Sequence, residues 1–528
     1  MAMPGASSSG PGARAERSDV PDGPGGSELA DRADRTPRAD RTRHADLPDR
    51  WGWTLVALLT VGVLLTWLPG MAGALGDNHE GRILARHALN VTNALSDGVA
   101  GSGWLSDWSP YVGDDGAQTA YAHHPPLLNL GYYLAARLSP LDLDVTMRLW
   151  STLTGVLLLP LGAAVLHRRG LGWGPVLVAT TAVAITPLFW VYGRLSANVT
   201  LLLAMTLVIV RLAEDRRIRP GELVLAALVS VAAIVAGYLG MATAALLGLW
   251  LLRERGLDRI TLSIGAAMAV GATISLGYVI GRTGAARVGE QLEMRTTGGG
   301  FTTAEFLARI GEWATALLPG WWRWGLLPLA LVMGIRDPRT RPLTVIGVLV
   351  TVGYVGGLPN GAFIHDYWIL PVLLPVWFGT AAAVAFAVER LHRRQGLGLA
   401  AGLIAVLVVA GAGQGIGQQV PGRYLLGPQA AGELARDHGP APGQEQAWRT
   451  TGIPAPRWLS LYWELPPAVV SRDTAGDLPP DDLVMVAIDR APGWLGPPEE
   501  LRERAVEVAG GYALLRGEDV AAAAAGDG

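Results

Sequence analysis

Apolar stretches of about 20 residues recur along most of the chain, separated by short segments rich in arginine. A transmembrane helix needs about 20 mainly apolar residues, so each stretch predicts a helix that crosses a bilayer. Eleven spans are predicted, at 51–75, 146–166, 171–191, 197–213, 221–237, 239–253, 259–281, 313–334, 342–358, 367–389 and 397–413.

The arginine clusters predict the orientation of these spans. Cytoplasmic loops of membrane proteins carry an excess of basic residues. With a cytoplasmic N-terminus, eleven spans place all five basic clusters inside: 167–170, 214–219, 253–259, 336–341 and 389–394. This holds only if "PPLLNLGYYLAARL" (125–138) does not cross, so we expect it to lie as a helix in the outer interface. The pattern indicates a multi-pass protein of the plasma membrane.

Both ends of the chain differ from this apolar middle. Residues 1–50 are rich in Gly, Pro, Ser, Asp and Arg, which predicts a disordered cytoplasmic tail. Residues 51–414 form the predicted membrane domain, with a long first outer loop at 76–145. Residues 415–528 alternate short helical and strand patterns ("ELARDHG", "LVMVAID", "PPEELRERA" and "VEVAGGYALLR"), which predicts a small extracytoplasmic α/β domain.

The composition agrees with a membrane protein and excludes some classes of site. Half of the residues are hydrophobic and only 16% are charged, against about 25% in soluble domains. A net charge of −3 gives no reason to expect nucleic acid as a partner. The chain has no cysteine, which excludes structural disulfides and thiolate metal sites.

Ionisable side chains collect in three segments on the predicted outer face: "GDNHEGRILARHALN" (76–90), "YAHHPPLLN" (121–129) and "GLPNGAFIHD" (357–366). After Glu80, apolar residues recur at helical spacing, which predicts an amphipathic helix on the membrane with Arg82 and Arg86 toward water. The candidate site residues are Asp77, His79, Glu80, Arg82, His123, His124, Arg194, His365, Asp366 and Tyr367.

These residue types suit glycosyl transfer from a sugar carried on a polyprenyl phosphate. A carboxylate has to take the proton of the acceptor hydroxyl, and Asp77 or Glu80 is suited to this. Cationic or hydrogen-bonding groups have to stabilise the leaving lipid phosphate, and Arg82, His123, His124 and His365 are suited to that. The lipid chain stays in the bilayer, so this chemistry belongs at its surface.

Each residue also has a simpler interpretation. Asp77 alone is typical of a solvated loop charge, Tyr367 of an aromatic belt, and Arg194 of a side chain that extends from lipid to water. The grouping of three distant segments on one face favours a site. His79, Glu80, His123, His124, His365 and Asp366 are also zinc-type ligands. No HExxH motif is present, so a zinc hydrolase is disfavoured; assistance to the phosphate by a divalent cation stays open.

Three islands, "GDNHEGRILARHALN", "YAHHPPLLNLGYYLAARL" and "HDYWILPVLLPVW", resemble in order the GT-C glycosyltransferases related to protein O-mannosyltransferases and lipid A aminoarabinose transferases. The resemblance implies a catalytic acid at the start of the first outer loop, which corresponds to Asp77 with Glu80 as a second acid. The family usually has adjacent Asp-Glu, whereas "DNHE" separates the two acids here.

The same resemblance assigns the other two islands to the donor. Family members carry His-Pro-Pro-Leu or Lys-Pro-Pro-Leu before an interfacial helix, and His124 begins the matching sequence here. This implies that His124 contacts the donor phosphate, with His123 sharing the task. "HDY" (365–367) is similar to a late motif on the donor side of the family.

The sequence therefore predicts an α-helical polytopic membrane protein of GT-C type. Its expected activity is inverting transfer of a sugar from a polyprenyl-phosphate donor to a protein, lipid or polymer acceptor at the outer leaflet. The main alternative is a transporter or lipid-carbohydrate flippase, which is expected to carry ionisable residues near mid-bilayer and broken helices in repeated halves. A polymerase or ligase of cell-surface polymers is a third hypothesis with related chemistry.

Overall fold

The fold is that of a computed structural model, whose described sections all lie between residues 47 and 526. The described residues are 47–69, 71–76, 79–108, 125–195, 197–215, 217–297, 300–318, 325–391, 393–413, 430–438, 449–451, 453 and 468–526. Most of the predicted tail, 1–50, thus lies outside the described residues, as does 414–429, where the C-terminal domain is predicted to begin.

Helices make up most of the described chain. In order they are α1 (Asp49–Trp67), α2 (His79–Gly101), α3 (Leu127–Leu138), α4 (Leu143–Val156), α5 (Leu158–Arg168), α6 (Trp173–Ala184), α7 (Pro187–Tyr192), α8 (Ala197–Glu214), α9 (Pro220–Ala236), α10 (Tyr238–Arg255), α11 (Arg259–Thr283), α12 (Ala285–Thr296), α13 (Thr303–Leu317), α14 (Leu327–Arg336), α15 (Arg341–Gly357), α16 (Pro359–Ile364), a 3₁₀ helix (Asp366–Val372), α17 (Leu373–Val388) and α18 (Arg393–Gly413).

Several of these helices have the length and composition of membrane spans. Four helical segments of the described chain are long enough to cross a bilayer: Asp49–Trp67, Leu143–Arg168, Arg259–Thr283 and Asp366–Val388. Five shorter apolar helices lie at Trp173–Ala184, Pro220–Ala236, Leu327–Arg336, Arg341–Gly357 and Arg394–Val408. A helical protein with several apolar helices is thus confirmed, whereas the number of eleven spans stays a prediction.

Prolines divide two of the predicted spans. The span predicted at 146–166 is two consecutive helices that meet at Leu157. Pro160 explains the break, because a proline ring displaces the carbonyl four residues earlier, here that of Val156. The span predicted at 171–191 divides before Pro187, which begins α7, while the side chain of Thr186 caps that helix by accepting from the Phe189 amide at 3.2 Å.

A five-stranded sheet follows the helices in the sequence. Its strands are β1 (Arg449–Thr451), β2 (Ala468–Val469), β3 (Leu483–Ala487), β4 (Glu507–Ala509) and β5 (Tyr512–Arg516), in the order β2-β1-β3-β5-β4. β1 is parallel to β2 and β3, and β5 is antiparallel to β3 and β4. The single strand predicted from "VEVAGGYALLR" is wrong, because Gly510 and Gly511 form the two-residue turn of a hairpin.

Short helices cover both faces of this sheet: α19 (Ala430–Asp437), α20 (Arg472–Ala475), α21 (Pro498–Arg504) and α22 (Gly517–Ala525). Along β3, Val484 and Val486 pack with residues of α20, α21 and α22, whereas Met485 and Ala487 pack with residues of α19 and α2. Successive side chains of a strand point to opposite faces, so both faces are buried and the strand is apolar throughout. The small α/β element predicted from the sequence is confirmed; its position outside the cell stays a prediction.

The packing of α2 against β3 and α19 corrects the prediction that α2 lies on the membrane surface. Its apolar residues Leu84, Ala88 and Val91 are fully buried against Leu434 of α19 and Met485 of β3, and against α3 and α4. The prediction that this face rests on the bilayer is therefore wrong, since protein covers it. Arg82 and Arg86 are half-buried rather than exposed to water.

Candidate active site

The first element of the candidate site is the tight reversal of the chain between α1 and α2. A Cβ on Gly81 would lie 2.0 Å from the Gly76 carbonyl oxygen and 2.6 Å from the Gly76 nitrogen. No side chain fits there, so "HEGR" allows the first turn of α2 to lie directly against the segment that precedes it. The close approach fixes the backbone of Gly76, the residue directly before Asp77 in the sequence.

A buried ion pair holds this reversal together. Glu80, in the first turn of α2, and Arg148, on α4, are each only 2% exposed. Arg148 Nε donates to Glu80 Oε1 at 3.1 Å, and its other nitrogens donate to the carbonyls of Met71 (3.3 Å), Gly73 and Ala74 (3.0 Å). One guanidinium thus joins the start of α2 to the segment 71–74, because its planar array of donors serves several acceptors at once.

The electrostatics of Glu80 follow from its burial. Burial raises the pKa of the Glu80 carboxyl above its usual range, although the charges of Arg148 and Arg194 act in the opposite direction. The nearby charge of Asp144, which is also buried, adds to the increase. Glu80 Oε2 is buried and accepts no hydrogen bond from a described residue. The carboxyl is therefore a packed, internal group that faces two cations.

Arg194 supplies the second cation. It follows α7, and its guanidinium lies over the indole of Trp67 at 5.4 Å from the ring centroid. Its Nε donates to the carbonyl of Trp190 at 3.2 Å and its Nη1 to that of Trp67 at 3.4 Å. Burial lowers the pKa of Arg194 to about 10, with Glu80 acting to raise it. The side chain therefore keeps its positive charge at neutral pH, and burial makes that charge costly unless an anion is near.

The motif "HDY" (365–367) contacts the helical core near Arg194 through Tyr192. The Tyr192 hydroxyl donates to Asp366 Oδ1 at 2.5 Å, and both residues are buried. The ring of Tyr367 lies 6.1 Å from that of Tyr192 and stacks at 5.2 Å on His365. Tyr192 is two residues before Arg194, so the contact ties "HDY" to the segment that carries the second cation.

The structure places the predicted residues in three groups. Glu80, Arg194, Asp366 and Tyr367 are tied into the helical core by the contacts above, and His365 and Arg82 are half-buried beside them in sequence. His79 begins α2, but its side chain is outside the described part of the molecule. Asp77, His123 and His124 lie outside the described residues altogether. Within the described ranges, no three His, Asp or Glu side chains are placed to hold a metal ion.

Three functional candidates were not found from the sequence: Arg148, Asp144 and Tyr192. A signal existed for Arg148, since it is an arginine within the span predicted at 146–166, and ionisable residues in spans are usually paired or functional. No local pattern marks Asp144 or Tyr192. Their importance comes from partners far along the chain, such as Asp366 for Tyr192.

Comparison with solved structures reveals similar proteins. ArnT from Cupriavidus metallidurans bound to undecaprenyl phosphate is 17% identical, with a TM-score of 0.57 over 89% of this chain and 98% of that one. The apo state of the same protein gives 16% identity and a TM-score of 0.53 over 90% and 99%. An oligosaccharyltransferase from Archaeoglobus fulgidus in complex with zinc and sulfate is 12% identical, with a TM-score of 0.50 over 87% and 73%.

At the level of sequence, neither a family model nor a curated protein matches the chain. The likeness therefore concerns the fold, and it extends over nearly the full length of ArnT. It agrees with the resemblance carried by the three sequence islands. This chain has the fold of the GT-C glycosyltransferases.

Proposed function

We propose that the protein is a membrane glycosyltransferase that takes its sugar from a polyprenyl-phosphate donor and acts at the outer leaflet. One observation carries the proposal: within a GT-C fold, a buried carboxylate and two arginines meet where α1 ends and α2 begins. ArnT of the same fold binds undecaprenyl phosphate. An anionic lipid head group needs cations of this kind at the boundary between lipid and water.

Asp77 is the proposed base of the reaction. Glu80 is the other candidate acid, but it is 2% exposed and already accepts from Arg148. A base has to reach the hydroxyl of an incoming acceptor, so a group enclosed in this way suits positioning better than proton transfer. Asp77 comes one residue after Gly76, the end of the segment that Arg148 and Gly81 hold. Glu80 then serves a positioning role, because it holds Arg148, which binds the carbonyls of the segment 71–74 that precedes the base.

Arg194 is the proposed ligand of the donor phosphate. Its charge lies over Trp67 at the end of α1, and Nη2 donates to no described residue. His365, which stacks on Tyr367, and Arg82 are proposed to assist. His123 and His124 keep the role implied by the sequence resemblance, that of additional phosphate contacts. The class of sugar and the nature of the acceptor are left open by these residues.

Transfer by the purified protein tests the proposal. The wild type and Asp77→Asn are incubated with polyprenyl-phosphate sugars, and sugar release or transfer is measured. We expect turnover by the wild type and a roughly 10²- to 10⁴-fold lower rate for Asp77→Asn, since a general base contributes about that much. Asp473→Asn, at an exposed aspartate of α20, is the matched control and should turn over like the wild type.

Two results would contradict this assignment. Equal rates for Asp77→Asn and the wild type would remove Asp77 from the mechanism. A wild type that binds polyprenyl phosphate but transfers no sugar from any such donor would favour the alternative hypothesis, a transporter or flippase for lipid-linked carbohydrate.

A further inference from the structure

The segment that leads to Asp77 is held from two sides. On one side, Arg148 donates to the carbonyls of Met71, Gly73 and Ala74. Ala74 and Leu75 are both fully buried. Ala74 and Leu75 precede Asp77, the proposed base, by only three and two residues in the sequence. The position of their backbone therefore limits the positions that Asp77 can take.

The second side is helix α19 of the C-terminal region. A Cβ on Gly432 would lie 2.0 Å from the Leu75 carbonyl oxygen and 3.1 Å from Ala74 Cβ. The backbone of α19 therefore lies directly on residues 74 and 75, at a distance that only glycine allows. Leu434 and Ala435 of the same helix are buried in one apolar cluster with Leu75 and Leu84.

Glycine at this position is otherwise unfavourable. Glycine favours a helix less than alanine does, and the two residues before Gly432, Ala430 and Ala431, are alanines. Gly432 is nevertheless present, and buried, as the third residue of α19, a helix of eight residues. Helix propensity does not explain a glycine at this position, whereas the close contact with the backbone of residues 74 and 75 does.

We propose that the C-terminal domain, through Gly432, positions the segment 71–76, which leads to the proposed base, for the reaction. This inference rests on the proposed function. It assigns the domain a part in turnover in addition to any contact with acceptor. Gly432 is a positioning residue: it touches no reacting atom, and acts through the backbone that precedes Asp77.

The test compares Gly432→Ala with the wild type in the full-length protein. Alanine favours the helix itself but drives its methyl group into the Leu75 carbonyl. We expect kcat for sugar transfer to fall by roughly 10- to 100-fold, since a displacement of about 1 Å at a reacting group has effects of that size. The KM for the donor should change less than kcat, because the contacts described for Arg194 are with Trp67 and Trp190 and not with α19.

Hydrogen–deuterium exchange gives a readout that does not depend on activity. Peptides covering 71–81 should exchange faster in Gly432→Ala, while those of the apolar helices α17 and α10 should not change. Gly476→Ala is the matched control, since a Cβ there meets nothing within 4 Å, and it should behave like the wild type in both measurements. Leu434→Ala, which loosens the same contact by removing side-chain atoms, should also speed exchange at 71–81.

The outcomes separate this inference from the assignment of function. Unchanged exchange and kcat in Gly432→Ala would overturn it, and so would a variant that is only less heat-stable but keeps the wild-type kcat per folded molecule. If the wild type transfers no sugar, the proposed function fails, whereas faster exchange at 71–81 alone in Gly432→Ala would still establish that the domain holds the segment.

Discussion

At the scale of single residues, buried polar groups organise the region around α2. His87 Nδ1 donates to Asn129 Oδ1 at 2.6 Å, and Asn129 Nδ2 donates to the Leu105 carbonyl at 2.8 Å. The relay joins α2 to α3 and to the turn that follows α2. Because a buried acceptor without a donor is costly, each member of the relay stabilises the position of the next.

His87 makes stability depend on pH. Burial, with the nearby charge of Arg86, lowers the pKa of His87 to about 3, whereas an unfolded histidine titrates near 6.5. The unfolded state therefore binds the additional proton between these values. This contribution to stability is complete above about pH 6.5 and is lost as pH falls toward 3, at about 1.4 kcal/mol per pH unit.

His87→Gln isolates this effect, because glutamine stays neutral and retains a donor for Asn129. We expect the free energy of unfolding of the wild type, measured at pH 7, 6 and 5, to fall more steeply than that of His87→Gln. The difference between the two slopes should approach the value for one proton. Parallel curves would show that His87 is protonated in the folded protein.

The ion pair of Glu80 with Arg148 shows what the sequence could not predict at this scale. Glu80 was identified because it is one of several ionisable residues in one outer segment. Arg148 was missed, since it lies inside an apolar run and its partner is 68 residues away. Local patterns identify residue types suited to chemistry, whereas the pairing of residues across such distances is decided by packing.

At the scale of elements, run length predicted where most helices lie. α9, α10, α11 and α15 begin and end within two residues of the predicted spans. Pro160 and Pro187, which divide two other spans, are visible in the sequence, but the length of an apolar run does not reveal such a break. Strand pairing is harder to predict from the sequence, because the parallel neighbours β1 and β3 are separated by more than 30 residues of chain.

The glycine at the start of α2 provides a test at this scale. Gly81→Ala places a methyl group 2.0 Å from the Gly76 carbonyl oxygen. Although alanine is the better helix former, we expect the variant to lose roughly 1–3 kcal/mol of stability, as overpacked sites do. Sugar transfer should fall as well, since the displaced segment leads to Asp77. Thermal unfolding in detergent and the transfer assay measure the two effects.

Gly277→Ala in α11 is the control for Gly81→Ala. A Cβ at Gly277 meets nothing within 4 Å, so this variant should gain stability, by about 1 kcal/mol at most. If Gly81→Ala were stabilised to the same degree, the close approach of Gly76 to α2 would be incorrect.

At the scale of the whole molecule, the two ends of the helices carry different charge arrangements. At the start of α2 the ion pair of Glu80 with Arg148 is buried, whereas the arginine clusters predicted to be cytoplasmic form partly exposed ion pairs between loops. Arg169 pairs with Glu214 at 2.6 Å and donates to the Arg339 carbonyl at 2.7 Å, and Arg339 pairs with Glu389 at 2.6 Å. The clusters that predicted the orientation thus also connect α5, α8, α15 and α17.

This separation predicts that stability and turnover can be changed independently. Arg148 and Arg169 are 21 residues apart along α4 and α5, about 30 Å at the rise of an α-helix. Arg169→Leu removes the pair with Glu214 and the contact with the Arg339 carbonyl, so we expect a loss of roughly 1–3 kcal/mol of stability. The kcat of the folded protein should stay at the wild-type value, because α4 keeps Arg148 on Glu80.

Arg390→Leu is the control for Arg169→Leu. Arg390 donates within its own helical segment, to the Phe386 carbonyl, so its loss should shift stability by about 0.5 kcal/mol or less. A fall in kcat for Arg169→Leu as large as that for Asp77→Asn would show instead that the two ends of the molecule are coupled during the reaction.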